Sequence, residues 1–516
     1  MPRTTRRGFM KGAAATGALA FSGSAPFVRT ALAQRPLVYL QTAPLTASWD
    51  VTSHTSLAQI YFENHVFGKL IKTPMPPDDP EKIEFDLAVS QKVLDDGAME
   101  YVLREDVFFH DGKKFGPEDV KATFEYASDP KRPAASWYPG LAEVEIVDGR
   151  TIRVRGADGA YPGSLFYFLA GFLPIMSADD IKNNAIAERP NGTGYFKFDR
   201  RDGQTTVLVA NDKYYAGAPQ IGEHHMTYVG DPNTRLLSLL NGEADIIEGL
   251  ESEQYETLQG EDVTLTRTIS TANKFLHFRK RPPFDDVRIR HAAAHAINRD
   301  DLLDLMGAAG HRSVGQLSPA KFGYTDTIPG SPEYDPDKCQ ALLAEAGFPN
   351  GEGLPEIEYL VSVGLYPKSK ELGEVITAQL QEQGFPVTLT VMEVAAWLER
   401  IFDKGPTAPQ LADTGWLTGS PEPNLVLRPM WHSSAALFTD VTSPEIDGLI
   451  DAQQSLTDRD ARRTSIQTEL MPALAKEMPT LGLLTFVLLH ANNKALEGMY
   501  IYPNGIMDLS KATFSG

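Results

Sequence analysis

Cysteine is almost absent from this 516-residue chain, which contains one, Cys339. An internal disulfide needs two cysteines, so a disulfide-stabilised fold is excluded. A lipid anchor through a cysteine at the start of a mature protein is also excluded, because no cysteine lies near the N-terminus. Apolar residues at helical spacing around Cys339 indicate that its thiol lies in a hydrophobic core.

Long hydrophobic runs are missing after the first thirty residues. A bilayer-spanning helix needs about twenty apolar residues, and the best later run, Leu481 to Leu489, is about half that length. Basic residues are also few, since 48 lysines and arginines face 68 acids and leave a formal net charge of −20. Phosphate binding draws on basic patches. We therefore expect neither a membrane-embedded protein nor one that binds nucleic acid or anionic membranes.

The common catalytic motifs are absent: the chain has no GxGxxG, GxxxxGK[ST], GxSxG or HExxH. His291 and His295 stand four apart on a predicted helix and could face one metal ion. No glutamate lies between them, so an alanine-rich packed helix is the favoured interpretation. His224 and His225 are adjacent in a predicted strand and would point to opposite faces. We predict no metal and no cofactor.

The first 33 residues are typical of an export signal. Paired Arg6 and Arg7 precede an apolar segment that runs to about Ala25, and Ala31-Leu32-Ala33 fits cleavage after Ala33. The arginine pair resembles the twin-arginine type of signal, which carries folded proteins across a bacterial inner membrane. Cleavage would take the formal charge from −20 to −25. We expect a soluble periplasmic protein.

Helices and short strands alternate along the rest of the chain, a pattern typical of an α/β protein of two or three domains. Strands are predicted at Arg35 to Thr42, Met99 to Leu103, Ala244 to Ile247 and Val387 to Val391, with hairpin turns at Asp148-Gly149 and Asp202-Gly203. Helices are predicted at Leu57 to Leu70, Val375 to Gln383 and Trp397 to Phe402, from Pro117, from Asp285-Asp286 to about Asn298, and from Asp335-Pro336 to Gly347. A proline-rich break at Pro74 to Pro80 indicates a subdomain boundary.

One further helix begins at Asp231-Pro232, because aspartate is a good N-cap and proline fits the first turn. Leu236, Leu237 and Leu240 are predicted to form its apolar face.

Several segments, in their order and spacing, resemble the extracellular solute-binding proteins of family 5, which include dipeptide, oligopeptide and nickel receptors of ABC importers. They extend over nearly the whole mature chain. The segments are Phe109 to Val120, Asn191 to Tyr195, Asp231 to Arg235 leading into Asn241 to Ile246, Pro283 to Arg290, Tyr334 to Pro336 through Gly347, and Gly415 to Pro429.

This resemblance implies a two-lobed α/β periplasmic binding protein of type II, with an extra subdomain in lobe one. Lobe one would comprise residues 34–75, 191–270 and 485–516, the inserted subdomain residues 76–190, and lobe two residues 271–484. The chain would cross between the lobes near Ser270 and near Leu484.

The function implied by the resemblance is that of a monomeric, non-catalytic receptor that closes around a small molecule or peptide and presents it to ABC transporter permease subunits. An exported hydrolase is the competing class, and it would need a nucleophile, a base and oxyanion donors in one cleft. A sensor for a chemotaxis or signalling partner would use the same closure.

The segment Gly415 to Asn424 is the expected floor of the ligand cleft. Trp416 supplies a large aromatic ring among glycines and prolines, and its position in the family implies a ligand contact. Ser420 and Asn424 are polar ligand candidates from the same loop, with turn formation as the alternative.

Ligand identity depends on two replaced residues. Peptide receptors of the family commonly place an aspartate for the peptide ammonium group where this chain has Gly419. Dipeptide receptors place an arginine for the carboxylate where it has Val363. A buried charge without a partner is costly, so a free dipeptide is disfavoured. Longer peptides, sugars, opines and other polar organic solutes stay open.

Three further residues are candidate ligand contacts. Thr42 follows the first strand. Trp397 could replace a ring that the family has nearby, with core packing as the favoured alternative. Arg428 could bind an anionic group or form a salt bridge within lobe two. His432 lies near this loop, but no cluster of metal-binding residues accompanies it, so nickel is not favoured.

Overall fold

The structure, a computed structural model, describes residues 35–54, 56–72, 83–133, 141–156 and 170–515. Its strands are β1 (Leu37–Gln41), β2 (Ile71–Lys72), β3 (Glu84–Phe85), β4 (Ala88–Val93), β5 (Met99–Leu103), β6 (Leu141–Ile146), β7 (Thr151–Gly156), β8 (Phe196–Asp202), β9 (Thr205–Ala210), β10 (Glu223–Tyr228), β11 (Ile246–Glu248), β12 (Val263–Phe278), β13 (Gly310–Arg312), β14 (Ile357–Val363), β15 (Val387–Glu393), β16 (Leu411–Trp416), β17 (Thr480–Asn493), β18 (Leu496–Glu497), β19 (Tyr500–Ile501), β20 (Met507–Asp508) and β21 (Thr513–Phe514).

The helices alternate with these strands, and the α/β class predicted from the sequence is confirmed. They are α1 (Leu57–Val66), α2 (Pro117–Ala127), α3 (Ala178–Lys182), α4 (Pro232–Leu240), α5 (Ser252–Thr257), α6 (Val287–Ala296), α7 (Arg299–Met306), α8 (Pro336–Glu345), α9 (Ser369–Glu382), α10 (Val394–Ile401), α11 (Asn424–Trp431), α12 (Pro444–Ser455), α13 (Arg459–Ser465) and α14 (Met471–Glu477). No helix of the described ranges is both long and apolar enough to cross a bilayer.

Local chemistry sets the beginnings of the predicted helices. The carboxylates of Asp231, Asp286 and Asp335 accept backbone N–H groups of the first turns of α4, α6 and α8. These N–H groups have no partner inside the helix, so a side-chain acceptor stabilises each start. Cys339 is fully buried in α8, as predicted.

The predicted apolar face of α4 is wrong for two of its three leucines. Leu237 and Leu240 are 57% and 44% exposed, whereas Arg235 is buried. The Arg235 guanidinium donates to the carbonyl oxygens of Glu248 and Val229 at 3.1 and 2.8 Å. These bonds fix the rotation of the helix, because they satisfy carbonyl groups at the ends of the neighbouring strands.

A single sheet connects two hydrophobic cores. Its order is β15-β14-β16-β12-β17-β11-β1-β10-β9-β8, with β13 beside β17. The first core packs β1 and α1 against the separate sheet β4-β5-β7-β6 and the C-terminal residues from Leu496. The second core covers both faces of β14, β16 and the adjoining parts of β12 and β17. A smaller cluster packs β1 and β11 against Leu489 of β17 and Leu265 of β12. The long strands β12 and β17 therefore run from the first-core side of the sheet to the second core.

The ladder between β12 and β17 is interrupted where these strands pass between the cores. Residues from Val263 to Ile269 pair in one register, and pairing resumes at Asn273 opposite Thr485. This interruption lies where the chain is predicted to cross between lobes, although the borders of the lobes stay predictions. The export signal with cleavage after Ala33, and the break at Pro74 to Pro80, lie outside the described residues.

Candidate ligand cleft

The carboxyl ends of strands from the two cores point towards each other. In the first core, β1 runs parallel to β11, and β11 and β12 are both antiparallel to β17. Hence β1 and β11 run in the same direction as β12, towards the second core. There, β16 is antiparallel to β12 and β14 is parallel to β16, so both run towards the first core. Ligands of open α/β sheets bind beyond such carboxyl ends.

The loop Gly415 to Asn424 leaves β16 at this position. Trp416 is half-buried, its ring lies edge-on to Phe438 at 5.7 Å, and its Nε1–H donates to the carbonyl oxygen of Leu425 at 2.8 Å. The indole N–H is therefore used inside the second core. What the ring can offer a ligand is its remaining exposed surface, which suits stacking and apolar contact.

Ser420 and Asn424 are turned into the loop itself. Ser420 is fully buried, and its hydroxyl accepts the N–H of Glu422 at 3.2 Å. Asn424 begins α11, and its side-chain oxygen accepts from the amide of Gln453 at 2.7 Å. Both side chains shape the loop in this arrangement, and their role as ligand contacts stays a prediction.

Gly419 is the point where the loop meets the first core. Its carbonyl oxygen accepts from the side-chain amide of Asn504 at 2.7 Å. A Cβ atom at this position would lie 1.6 Å from Cε2 of Phe172. Phe172 is a buried residue of the first core, and Asn504 lies in a segment that packs in the same core. The contact requires glycine at position 419, because any side chain would collide with the Phe172 ring.

On the opposite side, Thr42 follows β1 and contacts the end of β11. Its N–H and hydroxyl both donate to Oε1 of Glu248, at 2.8 and 3.0 Å. Thr42 is exposed, whereas Glu248 is buried. A carboxylate thus stands behind Thr42 at the first-core edge of the cleft, and the sequence reasoning did not single it out.

Lys321 supports the loop from behind. Its Nζ donates to Oγ1 of Thr418 and, at 2.8 Å, to the carbonyl oxygen of Ser420. The hydroxyl of Thr418 donates a hydrogen bond to the same carbonyl oxygen at 2.8 Å. Lys321 is 1% exposed, and burial lowers the pKa of its ammonium group to about 7. The two residues that flank Gly419 are therefore held by one buried amine.

A buried ion pair fixes the far end of the loop. The Arg462 guanidinium meets both carboxylate oxygens of Glu422, at 2.6 and 3.0 Å, and both side chains are about 1% exposed. Such a bidentate arrangement is the strongest form of this contact. Glu422 is therefore already matched by one positive charge.

A second buried lysine lies under the other face of the sheet. Lys274 of β12 lies 3.0 Å from Asp413 of β16, with both side chains fully buried. Ser369 accepts from the Lys274 amine at 2.8 Å, and Tyr359 donates to Asp413 at 3.0 Å. Burial outweighs the mutual attraction, so the pKa of Asp413 lies above and that of Lys274 below its ordinary value.

The remaining candidate contacts lie in different surroundings. Trp397 is 2% exposed within the second core. Arg428 forms an ion pair with Asp451 and donates to Oε1 of Gln454 at 3.1 Å. Val363 ends β14 and is half-buried at the same edge as the loop. Thus Val363, Trp416, Gly419 and Thr42 lie at facing strand ends, whereas Trp397 lies inside the core.

The two histidines of α6 bind backbone carbonyl groups. His291 pairs with the carbonyl oxygen of Lys476 at 2.9 Å and His295 with that of Glu333 at 2.6 Å. His224 is fully buried and His225 half-buried, as expected for adjacent strand residues. Within the described ranges no group of three or more metal-binding side chains occurs.

A small pocket lies away from this cleft, inside the first core. It has a volume of about 30 Å³ and is lined by polar groups that include Lys69, Asp86 and Asp508. About 10–15 Å³ of such space holds one water molecule, so the pocket has room for water.

Sequence reasoning missed Lys321, Glu248, Phe172 and Asn504. Phe172 and Asn504 are far from position 419 in the sequence, and no local pattern links them to it. A signal existed for one buried charge, since Asp413 interrupts the apolar start of β16. A charge inside an otherwise buried strand calls for a partner.

The fold and the facing strand ends define a class, the two-lobed solute-binding receptors. The chain matches the family described as bacterial extracellular solute-binding proteins, family 5, over residues 82–438. It belongs to that family. Among curated relatives, the glutathione-binding protein GsiB of Shigella dysenteriae serotype 1 is 26% identical over 443 residues, covering 83% of this chain and 85% of the relative.

Solved structures share the fold. HbpA2 from Haemophilus parasuis aligns with a TM-score of 0.81 at 21% identity, over 93% of this chain and all of the other. The binding protein DppA from Helicobacter pylori, in complex with the peptide STSA, aligns with a TM-score of 0.74 at 22% identity, over 93% and 98%. Both support the type II periplasmic binding protein fold for this chain.

Proposed function

We propose that this chain is a periplasmic receptor that binds a peptide-like or other small polar organic solute and delivers it to the permease subunits of an ABC importer. The family supports the receptor role. The observation that carries the mechanism is the meeting of the cores at Gly419, where Asn504 and Phe172 contact the expected ligand loop.

Binding would act through the arrangement of the two lobes. A ligand that touches both sides of the cleft favours the closed arrangement by its differential affinity for that form. The interrupted ladder between β12 and β17 is a suitable hinge, because few sheet hydrogen bonds oppose bending there. The closed form is what the permease would recognise. No covalent step is required, and the receptor that we propose is non-catalytic and monomeric.

The ligand would lie between Thr42 on one side and Trp416, Gly419 and Val363 on the other. Peptides are one solute class, because one relative is a glutathione-binding protein and the DppA structure holds the peptide STSA. A free dipeptide stays disfavoured, because position 419 carries no carboxylate for its ammonium group and position 363 no arginine. Export through the twin-arginine-type signal would place the receptor in the periplasm.

A thermal-shift screen tests the receptor function. Purified protein is heated with di- and oligopeptides, glutathione, opines, sugars and chelated nickel. A compound that binds only the folded protein raises its Tm, by an amount set by its concentration relative to Kd. We expect a shift with at least one peptide or other polar organic solute. Turnover of any binding compound would contradict the non-catalytic role and favour the exported hydrolase.

A further inference from the structure

The charge of Lys321 has no counter-charge of its own. Its amine donates to two neutral oxygens, those of Thr418 and Ser420. In the part of the chain that the structure describes, it forms no ion pair with a carboxylate. A buried ammonium group without a counter-charge is costly, because the loss of hydration is not offset.

The nearest acid cannot supply that counter-charge alone. Glu422 is the carboxylate whose field acts on Lys321, yet it is held in a bidentate pair by Arg462. When Lys321 is protonated, the three buried groups therefore carry two positive charges and one negative charge. One unit of positive charge is then left over behind the loop at the cleft.

The loop also has free hydrogen-bond donors. Among described residues, the backbone N–H groups of Thr418, Gly419 and Ser420 donate to no protein acceptor. Consecutive backbone N–H groups next to a positive charge are a common setting for binding anions. Gly419 places this segment at the boundary with the first core, where a ligand between the lobes would lie.

We propose that Lys321 is a specificity-determining residue, whose charge, with the free N–H groups of Thr418 to Ser420, selects ligands that carry a carboxylate at this loop. The proposal rests on the receptor function proposed above and names its ligand class: peptides longer than two residues, opines or other polar organic acids. Lys321 acts through the loop, since Thr418 and Ser420 stand between its amine and the cleft.

Burial of Lys321 is consistent with this role. It lowers the pKa of the ammonium group to about 7 in the ligand-free protein. A carboxylate bound at the loop would favour the charged amine again, because opposite charges at short range stabilise each other. The missing counter-charge would then arrive with the ligand.

Calorimetric titration with matched acid and amide probes tests the proposal. The pairs are tetra-alanine with its C-terminal amide, glutathione with its diamide, and N-acetylglycine with N-acetylglycinamide, all at pH 6.5. We expect at least one acid to bind about tenfold more tightly than its amide, a difference of about 1.4 kcal/mol. In Lys321→Met the preference should fall to about onefold. Lys494→Met, which removes an exposed lysine, should keep it.

Each alternative result decides the matter. Equal binding of acid and amide to the wild-type protein would overturn the proposal, and this comparison needs no variant should Lys321→Met fail to fold. An unchanged acid preference in folded Lys321→Met would overturn the role of Lys321. Binding of another compound in the thermal-shift screen, with none of these acids bound, would overturn the ligand class and keep the receptor function. No shift with any compound would remove both.

Discussion

One buried lysine contacts β16 and another contacts the loop that follows it, and their surroundings differ in one respect. Lys274 has Asp413 at 3.0 Å, and this pair is further held by Ser369 and Tyr359. Lys321 has only neutral oxygens, and the acid closest to it is taken by Arg462. One positive charge is thus neutralised within the fold, and the other is left without a counter-charge at a loop that faces the cleft.

The difference separates a structural role from a binding role. Removing one partner of a matched buried pair leaves the other charge without a counter-charge, so such a substitution lowers stability. A buried charge without a counter-charge destabilises the ligand-free protein. A bound ligand of opposite charge stabilises the charged form. Substitutions on the two sides should therefore affect different quantities, stability on one side and ligand preference on the other.

The largest effect is expected at the matched lysine. Asp413→Asn removes the negative charge and leaves Lys274 buried without it. We expect a loss of about 3–5 kcal/mol in the free energy of unfolding, the range for one partner removed from a buried ion pair. Urea unfolding followed by tryptophan fluorescence measures it.

The control for Asp413→Asn is Asp460→Asn, where the carboxylate is 87% exposed beside Arg463. We expect less than about 1 kcal/mol there. The double variant Lys274→Met, Asp413→Leu should be less destabilised than Asp413→Asn, because it leaves no charge unmatched. A loss below about 1 kcal/mol for Asp413→Asn would show that the pair does not stabilise the sheet.

The next effect concerns the contact between the cores at Gly419. Gly419→Ala places a Cβ atom on the ring of Phe172, so the lobes cannot reach the arrangement described here. We expect the affinity for the best compound of the thermal-shift screen to fall about tenfold, or 1.4 kcal/mol. Small-angle scattering should show a larger radius of gyration for the variant.

Two variants check the prediction for Gly419. Phe172→Ala combined with Gly419→Ala should recover part of the affinity, because the collision is removed. Gly448→Ala serves as the control, since a Cβ atom there meets nothing within 4 Å and alanine suits its helix. Full affinity in Gly419→Ala would show that binding does not need this contact.

The unmatched lysine should also change how stability depends on pH. The pKa of Lys321 is about 7 in the folded protein and about 10.4 when unfolded, so the unfolded chain binds more protons between these values. This lysine therefore adds a term that raises stability as pH increases from 7 to 10. The charged group that acts on it is Glu422, which is itself paired with Arg462.

Urea unfolding of the wild type and Lys321→Met at pH 6 and pH 9 measures that dependence. The difference in unfolding free energy between the two proteins should move in favour of the wild type at the higher pH. The same difference at both pH values would mean that Lys321 keeps an ordinary pKa.

The smallest effect is expected at Arg428, the other cation near the loop. It is already paired with Asp451, and the two side chains are 32% and 57% exposed. Arg428→Ala should change stability by about 0–1 kcal/mol, as for surface ion pairs generally. Its ratio of acid to amide binding should match that of the wild type. If Arg428→Ala bound acid and amide equally, Arg428 and not Lys321 would be the residue that selects the carboxylate.

The sequence was sufficient where local chemistry decides the structure. Asp231 and Asp335 begin their helices as predicted, because the acceptor and the donors lie within one turn. The face of α4 was mispredicted, because Arg235 binds the carbonyl oxygen of Glu248, 13 residues away, and Leu237 is turned outward. Periodicity cannot report such a contact.

The site was predictable only in part for the same reason. The resemblance to the family implies that Trp416 and Gly419 lie at the floor of a ligand cleft, and this stays a prediction. The contact of Gly419 with Phe172 spans some 250 residues and depends on how two separate cores meet. Lys321 has no counter-charge because Glu422 is paired with Arg462, 40 residues further along the chain. Local sequence does not predict such a contact.

The most direct test of the central claim is the pKa of Lys321 itself. Protein labelled with ¹³C at lysine Cε is titrated while its carbon resonances are followed, with Lys321→Met assigning the signal. We predict a midpoint near pH 7 in the ligand-free protein, and a higher midpoint with a bound acid from the probe set. An ordinary midpoint near 10.4 in the ligand-free protein, unchanged by the acid, would contradict an unmatched buried charge at the loop.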